Sequence, residues 1–218
     1  MRNVTLICTE HGENGACNVD GLYYIIKKIS PEIIFEEIPP SFFDAYYKYK
    51  NRNNLESIAI NKYLESHQIK HIPVDYYDIP NSFDADNRDM YGRIEAVSPK
   101  YRRLVDAHVS NVNRFGFKYL NSVNCNNLWN DIYSETEDTL QYLNNEKYII
   151  IYKLWNNIME KRENEMINNI YSYSKEHRFD RGLFLIGAAH RKSIINKIQK
   201  YSGTELVNWN INKYDNIF

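Results

Sequence analysis

Four short apolar segments constrain the fold of this chain more than any other feature of its sequence. They are three to five residues long, rich in β-branched side chains, and lie at 4–8, 33–35, 71–74 and 183–187. Because polar and apolar residues do not alternate within them, they are typical of strands covered on both faces, as in parallel sheets. A fifth, weaker segment at 205–209 is predicted to form an edge strand. The sequence therefore predicts an α/β fold with a mainly parallel sheet of four to five strands flanked by helices.

The connections between the first three segments carry helical periodicity. Apolar residues after the first segment recur at the i, i+3, i+4 and i+7 positions of an amphipathic helix, namely Leu22, Ile25, Ile26 and Ile29. Asn18 is a suitable N-cap for this helix, and Pro31 follows its end. Residues 41–67 form a second helical crossover, so the first three strands are predicted to run parallel.

The stretch between the third and fourth segments is much longer than a simple crossover. Residues 84–178 carry helical patterning rich in Tyr, Asn and charged residues, without a convincing strand. We interpret them as a helical insertion or lid within a single α/β domain that spans 1–218. One more helix follows the fourth segment and is predicted to end at Gly203.

Composition excludes several classes of protein. With 27 basic and 28 acidic side chains the formal net charge is −1, so the chain lacks the positive surplus that nucleic-acid binding draws on. No apolar run approaches the ~18 residues of a membrane span, and residues 4–8 are too short for a signal peptide. The three cysteines, Cys8, Cys17 and Cys125, form no CxxC pair, which argues against a zinc ribbon and suits a reducing compartment. We expect a cytoplasmic protein with neither a nucleic-acid nor a membrane partner, and the sequence leaves open whether it forms a homo-oligomer.

Acidic and histidine side chains follow every predicted strand. They are Glu10, His11 and Glu13 after the first, Glu36 and Glu37 after the second, Asp75 after the third, and His190 after the fourth. Because ligands of parallel sheets bind outside the carboxyl ends of the strands, these side chains are predicted to meet at one edge. Their chemistry suits either a divalent metal bound by His11, Glu36, His190 and Asp75, or a metal-free His/Glu acid–base site.

Each of these residues also has a structural interpretation. A single histidine at a strand end is more often a hydrogen-bonded structural residue than a catalytic one. Glu36 and Glu37 must point to opposite faces, because side chains alternate along a strand, so one of them is predicted to be solvated or capping. Gly12, Gly15 and Gly187 allow either a close approach of ligand or simply a tight turn. The other histidines are interpreted as structural or surface residues, namely His67, His71, His108 and His177.

Arg162 interrupts an apolar stripe on a long helix predicted at 147–173. The stripe consists of Ile151, Trp155, Ile158, Arg162 and Met166. A buried arginine is unfavourable unless it is paired, which indicates a carboxylate partner from the sheet edge or an anionic group of a substrate. The alternative is an arginine that extends past Trp155 to solvent.

Several of these segments resemble one superfamily. The matching pieces are ICTEHGENG at the first strand, IIFEEIPP at the second, IPVDYY at the third, Arg162–Met166 in the helix, and LFLIGAAH at the fourth. Together they resemble the TraB/Tiki, ChaN-like and erythromycin-esterase-like superfamily. Cys8 stands where the first glycine of a GxxH motif would be, so CTEH is closer to the ChaN-like and esterase-like patterns than to the metalloprotease pattern.

The resemblance implies roles for individual residues. His11, Glu36 and His190 would contact the substrate or a metal, with Glu10 or Glu13 nearby and Arg162 orienting a carboxylate. Glu36 is preferred to Glu37 because it directly follows the apolar strand. Two imidazoles and a carboxylate suit one divalent ion of Zn, Mn or Co.

Three hypotheses about function are open. The first is a hydrolase that cleaves an ester, lactone or peptide bond in a small-molecule or peptide substrate, with or without a metal. The second is a non-catalytic module that binds a small ligand such as haem or a nucleotide fragment, or takes part in signalling. The third is an inactive relative in which the polar edge is merely structural.

Overall fold

Five parallel strands form one sheet in the computed structural model, which describes residues 2–200 and 206–211. The strands are β1 (Arg2–Thr9), β2 (Ile33–Glu36), β3 (Lys70–Pro73), β4 (Arg181–Gly187) and β5 (Val207–Asn210). Their spatial order is β3-β2-β4-β1-β5, and every pairing is parallel. The predicted α/β fold is confirmed, and the weak fifth segment does form an edge strand.

Helices connect and flank these strands. They are α1 (Val19–Ile29), α2 (Phe43–Tyr47), α3 (Leu55–Leu64), α4 (Phe83–Val97), α5 (Pro99–Leu120), α6 (Val123–Leu143), α7 (Glu146–Glu176) and α8 (Arg191–Lys200). Short 3₁₀ turns lie at Pro40–Phe42 and Ala188–His190. Helices α4 to α7 form the predicted helical insertion, whereas the predicted C-cap Gly203 lies outside the described residues. None of the helices in the described ranges combines the length and apolar character that a membrane span requires.

The second crossover contains two helices, α2 and α3. Asn54 starts a new helix because its side chain accepts a hydrogen bond from the Ser57 backbone while the Ser57 hydroxyl accepts from the Asn54 backbone. This reciprocal cap fixes the first turn of α3. It thereby places Leu55 and Glu56 against the loop that follows β1, where the Leu55 N–H donates to the carbonyl of His11 at 3.0 Å.

Strands β1 and β4 lie side by side at the centre of the sheet. They pair over seven residues, from Asn3 with Arg181 to Thr9 with Gly187, and most of their side chains are buried. The chain leaves β1 towards β2 on one side and leaves β4 towards β5 on the other. Ligands of open parallel sheets bind at the carboxyl ends of such central strands. His11 and His190 follow these two strands.

The insertion is tied to the end of β1 by a side-chain amide. Asn121 accepts a hydrogen bond from the Cys8 N–H at 2.8 Å and donates to the Cys8 carbonyl at 3.0 Å. Pairing with β5 reaches only as far as Thr5, so Asn121 satisfies backbone groups that β5 does not cover.

The loop after β1 also sits directly on the backbone of α5. Gly116 interrupts that helix with φ 52° and ψ −134°, and a Cβ at this position would lie 2.4 Å from the carbonyl oxygen of Ala16. Gly15 has φ 57°, and its Cβ would lie 2.4 Å from the Asn113 carbonyl oxygen. The Ala16 N–H donates to that same carbonyl at 2.8 Å. Glycine is required at both points by backbone conformation and by close approach.

Substitution of Gly116 tests this contact. We expect Gly116→Ala to lower the free energy of unfolding by about 3 kcal/mol, because it adds both backbone strain and a clash. The matched control is Gly92→Ala in α4, where a Cβ meets nothing within 4 Å, and we expect it to raise stability by up to about 1 kcal/mol. Urea denaturation measures both changes, and equal stability of the two variants would contradict the tight approach of the loop to α5.

Candidate active site

Charged side chains from two strand ends and the insertion meet at the carboxyl edge of the sheet. Arg162 reaches out of α7, and its Nη2 lies 2.7 Å from Oε1 of Glu37 and 2.7 Å from Oδ2 of Asp75. Its Nε donates to Oδ1 of Asp75 at 3.1 Å. All three side chains are largely buried. The structure therefore has Arg162 paired with carboxylates of the sheet edge, which is the first of its two interpretations.

His190 connects this group to a further carboxylate. Its Nε2 lies 3.3 Å from Oε1 of Glu37, and its Nδ1 lies 2.7 Å from Oε1 of Glu163. Burial by itself would lower the pKa of His190, but the two carboxylates outweigh burial and raise the pKa to about 9. Burial likewise opposes the charged form of Glu37, yet the His190 and Arg162 cations hold the pKa of Glu37 well below its usual range.

These residues form a continuous row of alternating charges that we call the charge row. In order along the row they are Asp75, Arg162, Glu37, His190 and Glu163. Glu37 is at its centre and also accepts a hydrogen bond from the Gly187 N–H at 2.7 Å. Its two oxygens are therefore both engaged, which makes it a residue that positions cations rather than a free base.

His11 has a different environment. Its side chain is 60% exposed, and its Nδ1 lies 3.4 Å from Oε1 of the buried Glu56. The same Glu56 oxygen accepts a hydrogen bond from the hydroxyl of Thr9, whereas the other oxygen is buried without a hydrogen-bond partner among the described residues. Hydrogen bonding to Glu56 raises the pKa of His11 above its ordinary value. An accessible imidazole is thus backed by a buried carboxylate.

A cavity of about 390 Å³ joins His11 to the charge row. We call it the first cavity, and its volume lies within the range of small-molecule sites. It is lined by His11, Glu37, Pro39, Phe42, Tyr46, Asn53, Asn54, Asp75, Tyr77, Ile79 and Arg162. The charged groups are therefore accompanied by three aromatic rings, and the cavity can take a ligand with both polar and apolar parts.

Glu36 points away from these residues. One of its oxygens lies 2.7 Å from Nδ1 of His71, and the other accepts a hydrogen bond from the hydroxyl of Tyr47. Burial raises the pKa of Glu36 despite these two partners. The Ile38 N–H donates to the Glu36 carbonyl at 2.7 Å, and this tight turn carries Glu37 to the other side. The geometry thus favours Glu37 over Glu36 as the carboxylate of this site.

The four predicted metal ligands are not brought together by the fold. Glu36 is directed at His71, and the Arg162 guanidinium lies between Asp75 and Glu37. Both ring nitrogens of His190 face carboxylates. Within residues 2–200 and 206–211 no group of three or more His, Cys, Asp or Glu side chains is arranged to hold a metal ion. The donor arrangement therefore does not fit a divalent cation, because a guanidinium occupies the position between its carboxylates.

Glu10 and Glu13 make structural contacts elsewhere. Oε1 of Glu10 lies 2.9 Å from Nε2 of the buried His108, whose Nδ1 lies 3.0 Å from the hydroxyl of Tyr119. Glu13 accepts a hydrogen bond from the Val19 N–H at the start of α1. Both glutamates thus fasten the loop after β1 to its neighbours.

Two residues of the site were not singled out from the sequence, namely Glu56 and Glu163. Both lie on helices, whereas the carboxylates predicted from the sequence all come shortly after strands. A signal for Glu56 did exist, since a capping pair at Asn54 and Ser57 places it in the first turn of a helix. Glu163 directly follows Arg162 and is in the helical segment that carries the family resemblance.

The fold and the site together define an α/β protein with a histidine–carboxylate site at the carboxyl ends of its strands. No protein-family model, no curated protein and no solved structure matches this chain.

Proposed function

We propose that this chain is a hydrolase that cleaves an ester, lactone or peptide bond in a small-molecule or peptide substrate. The observation that carries the proposal is the pair of His11 and Glu56 at the first cavity. A histidine oriented by a buried carboxylate is the usual arrangement of a general base, because the carboxylate holds the Nδ1 proton and leaves Nε2 to accept another. The 3.4 Å separation is compatible with this role, since such contacts tighten when substrate binds.

The proposed reaction begins with a water molecule in the first cavity. Nε2 of His11 takes a proton from this water as its oxygen attacks the carbonyl carbon of the substrate. The resulting oxyanion needs a donor, and Arg162 supplies one. Its Nη1 faces only the weak acceptor Met159 Sδ, at 3.5 Å, among the described residues, while Nε and Nη2 are held by carboxylates. The protonated His11 then returns its proton to the leaving group as the bond to carbon breaks.

The test is a panel of ester, lactone and peptide substrates. We expect His11→Gln to lower kcat/KM at least about 100-fold for any substrate that the wild type cleaves. The matched control is His67→Gln, since His67 stacks on Tyr63 and does not line the first cavity, and we expect its activity to stay within about twofold. Hydrolysis that survives in His11→Gln would contradict the proposal. Ligand binding by a protein that cleaves nothing on the panel would favour the small-ligand module instead.

Metal analysis tests the metal-free form of the mechanism. The family resemblance implies Zn, Mn or Co, whereas in the proposed reaction His11 activates the attacking water without a metal. We expect protein purified from defined medium to contain far less than one equivalent of these metals by mass spectrometry, and we expect chelators to leave activity unchanged. One equivalent of metal, lost in His190→Ala, would overturn this form and restore the metal-dependent one.

A pair of neighbouring glutamates offers a further prediction. We expect Glu37→Gln to lower kcat/KM about 100-fold, because Arg162 and His190 lose the charge that positions them. We expect Glu36→Gln to change kcat/KM less than about threefold, since its partners Tyr47 and His71 lie outside the first cavity. Steady-state kinetics of the two variants decide which of the two glutamates supports the reaction. A larger loss in Glu36→Gln would support the role that the family resemblance gives to Glu36.

A further inference from the structure

A second cavity, of about 420 Å³, lies on the other side of His190. Its walls come from α6, α7 and α8, and its lining includes three aromatic rings, Tyr133, Tyr152 and Trp155. The Trp155 ring centroid lies 5.8 Å from those of both tyrosines. The rings therefore form an aromatic wall that ends at a residue of the charge row.

The charges around the second cavity are mostly negative. Glu137 and Glu160 are exposed at its rim, and within the part of the chain that the structure describes neither is paired with a cation. Of the described residues, two cations line this cavity, and carboxylates already pair with both: His190 lies between Glu37 and Glu163, and Lys197 lies 3.7 Å from Glu163. The aromatic wall is thus accompanied by two carboxylates that no cation of the described residues neutralises.

The second cavity adjoins a smaller recess of about 230 Å³, which shares Tyr133, Ala189 and Ser193 with it. Asn126 and Trp129 line the recess, and the described residues supply no hydrogen-bond partner for the buried Asn126 Oδ1 and Trp129 Nε1. Buried polar atoms are nearly always paired in native proteins. The unpaired acceptor and the unpaired donor beside the aromatic wall indicate that a polar molecule, either water or a ligand, occupies the recess.

We infer that the second cavity binds a protonated or quaternary amine carried by the substrate. Aromatic faces attract cations through the ring quadrupole, and carboxylates at the rim add Coulombic attraction. His190 lines this cavity and lies 3.3 Å from Glu37, which lines the first cavity, so an amine here would be close to the proposed reaction centre. The assignment of the amine to the substrate rests on the proposed function, whereas binding of the amine does not.

Calorimetry on the full chain tests the binding with choline as the probe. Its neutral isostere, 3,3-dimethylbutan-1-ol, has the same shape without the charge, and we expect choline to bind at least about tenfold more tightly. We expect Trp155→Leu to weaken choline binding about five- to tenfold and Glu160→Gln, which removes an exposed charge, about two- to fivefold. Asp131→Asn is the matched control, because it removes an exposed acid of α6 that does not line the second cavity.

Equal binding of the two probes, no binding of choline, or variants that behave like Asp131→Asn would overturn the inference. Glu160 is exposed, so Glu160→Gln keeps the test decisive if Trp155→Leu fails to fold. The assignment to substrate is tested by hydrolysis of acetylcholine against 3,3-dimethylbutyl acetate. We expect about a tenfold preference in kcat/KM that Trp155→Leu abolishes. His11→Gln should still bind choline, because His11 does not line the second cavity. If the wild type binds choline but hydrolyses no substrate, the proposed function is overturned and the inference about amine binding is not.

Discussion

Glu56→Gln is expected to lower kcat about 1,000-fold while the protein stays folded. A neutral amide in place of the carboxylate neither fixes the Nδ1 tautomer of His11 nor stabilises the imidazolium that forms in the proposed reaction. Glu56 is buried beside Thr9, and glutamine has nearly the same shape as glutamate, so the change tests charge rather than packing. Steady-state kinetics at a temperature well below the Tm measure the effect.

The pH dependence of Glu56→Gln separates a catalytic role from a structural one. A general base acts when it is deprotonated, so wild-type kcat/KM should rise with pH through the pKa of His11, which Glu56 raises. Without the carboxylate, the pKa of His11 falls and the rising limb moves to lower pH. Glu65→Gln, an exposed acid at the end of the same helix, serves as the control and should leave the profile in place. A Glu56→Gln profile that coincides with the wild type would contradict the role of His11 as the base.

Arg162→Met is expected to lower the free energy of unfolding by about 3 to 5 kcal/mol at neutral pH. The substitution leaves Glu37 and Asp75 buried without the cation between them, and an uncompensated buried charge is strongly destabilising. Arg162→Lys keeps the charge but loses the forked geometry, so its effect should lie between those of the wild type and Arg162→Met. The control is Lys147→Met, whose ion pair with Asp89 is exposed and should contribute less than about 1 kcal/mol.

Acid should reduce the difference in the free energy of unfolding between Arg162→Met and the wild type. The pKa of Glu37 is lower in the folded protein than in the unfolded chain, so its stabilising contribution is present above the unfolded pKa and is lost as pH falls through the folded pKa. In Arg162→Met the pKa of Glu37 rises, and protonation relieves the unpaired charge. Urea denaturation at a series of pH values should therefore show the largest deficit near neutrality and a smaller one below about pH 4. A deficit that is constant with pH would indicate lost packing instead of lost charge.

The sequence predicts the strands well but does not specify their order in the sheet. The apolar segments at 4–8, 33–35 and 183–187 form largely buried strands, because burial on both faces imposes a composition that is visible locally. The segment at 71–74 lies largely in the edge strand β3, whose side chains are only partly buried. The position of β4 between β2 and β1 depends on pairing across more than a hundred residues of intervening chain. No local pattern specifies such a pairing.

The candidate site, too, is predictable from the sequence only in part. The position of the charged residues at the sheet edge follows from parallel strands, whose carboxyl ends must coincide. Which of Glu36 and Glu37 faces His190 depends on the tight turn at Ile38, which is a property of the backbone. Glu56 comes from a helix that packs on the loop after β1, so the strand ends alone could not indicate it.

The contacts between the insertion and β1 determine how a substrate can enter. Asn121 is hydrogen-bonded to the backbone of Cys8, and Gly116 lies against the backbone of Ala16. Motion of α5 as a lid would break main-chain contacts of β1 and of the loop that carries His11, so the insertion and the sheet should open and close as one cooperative unit. Hydrogen exchange should therefore give the amides of Cys8 and Ala16 the same opening free energy as the core of α5. Access to the first cavity would then depend on its aromatic side chains and on the loop between α2 and α3, which supplies Asn53 and Asn54 to its lining, with the insertion as a fixed wall.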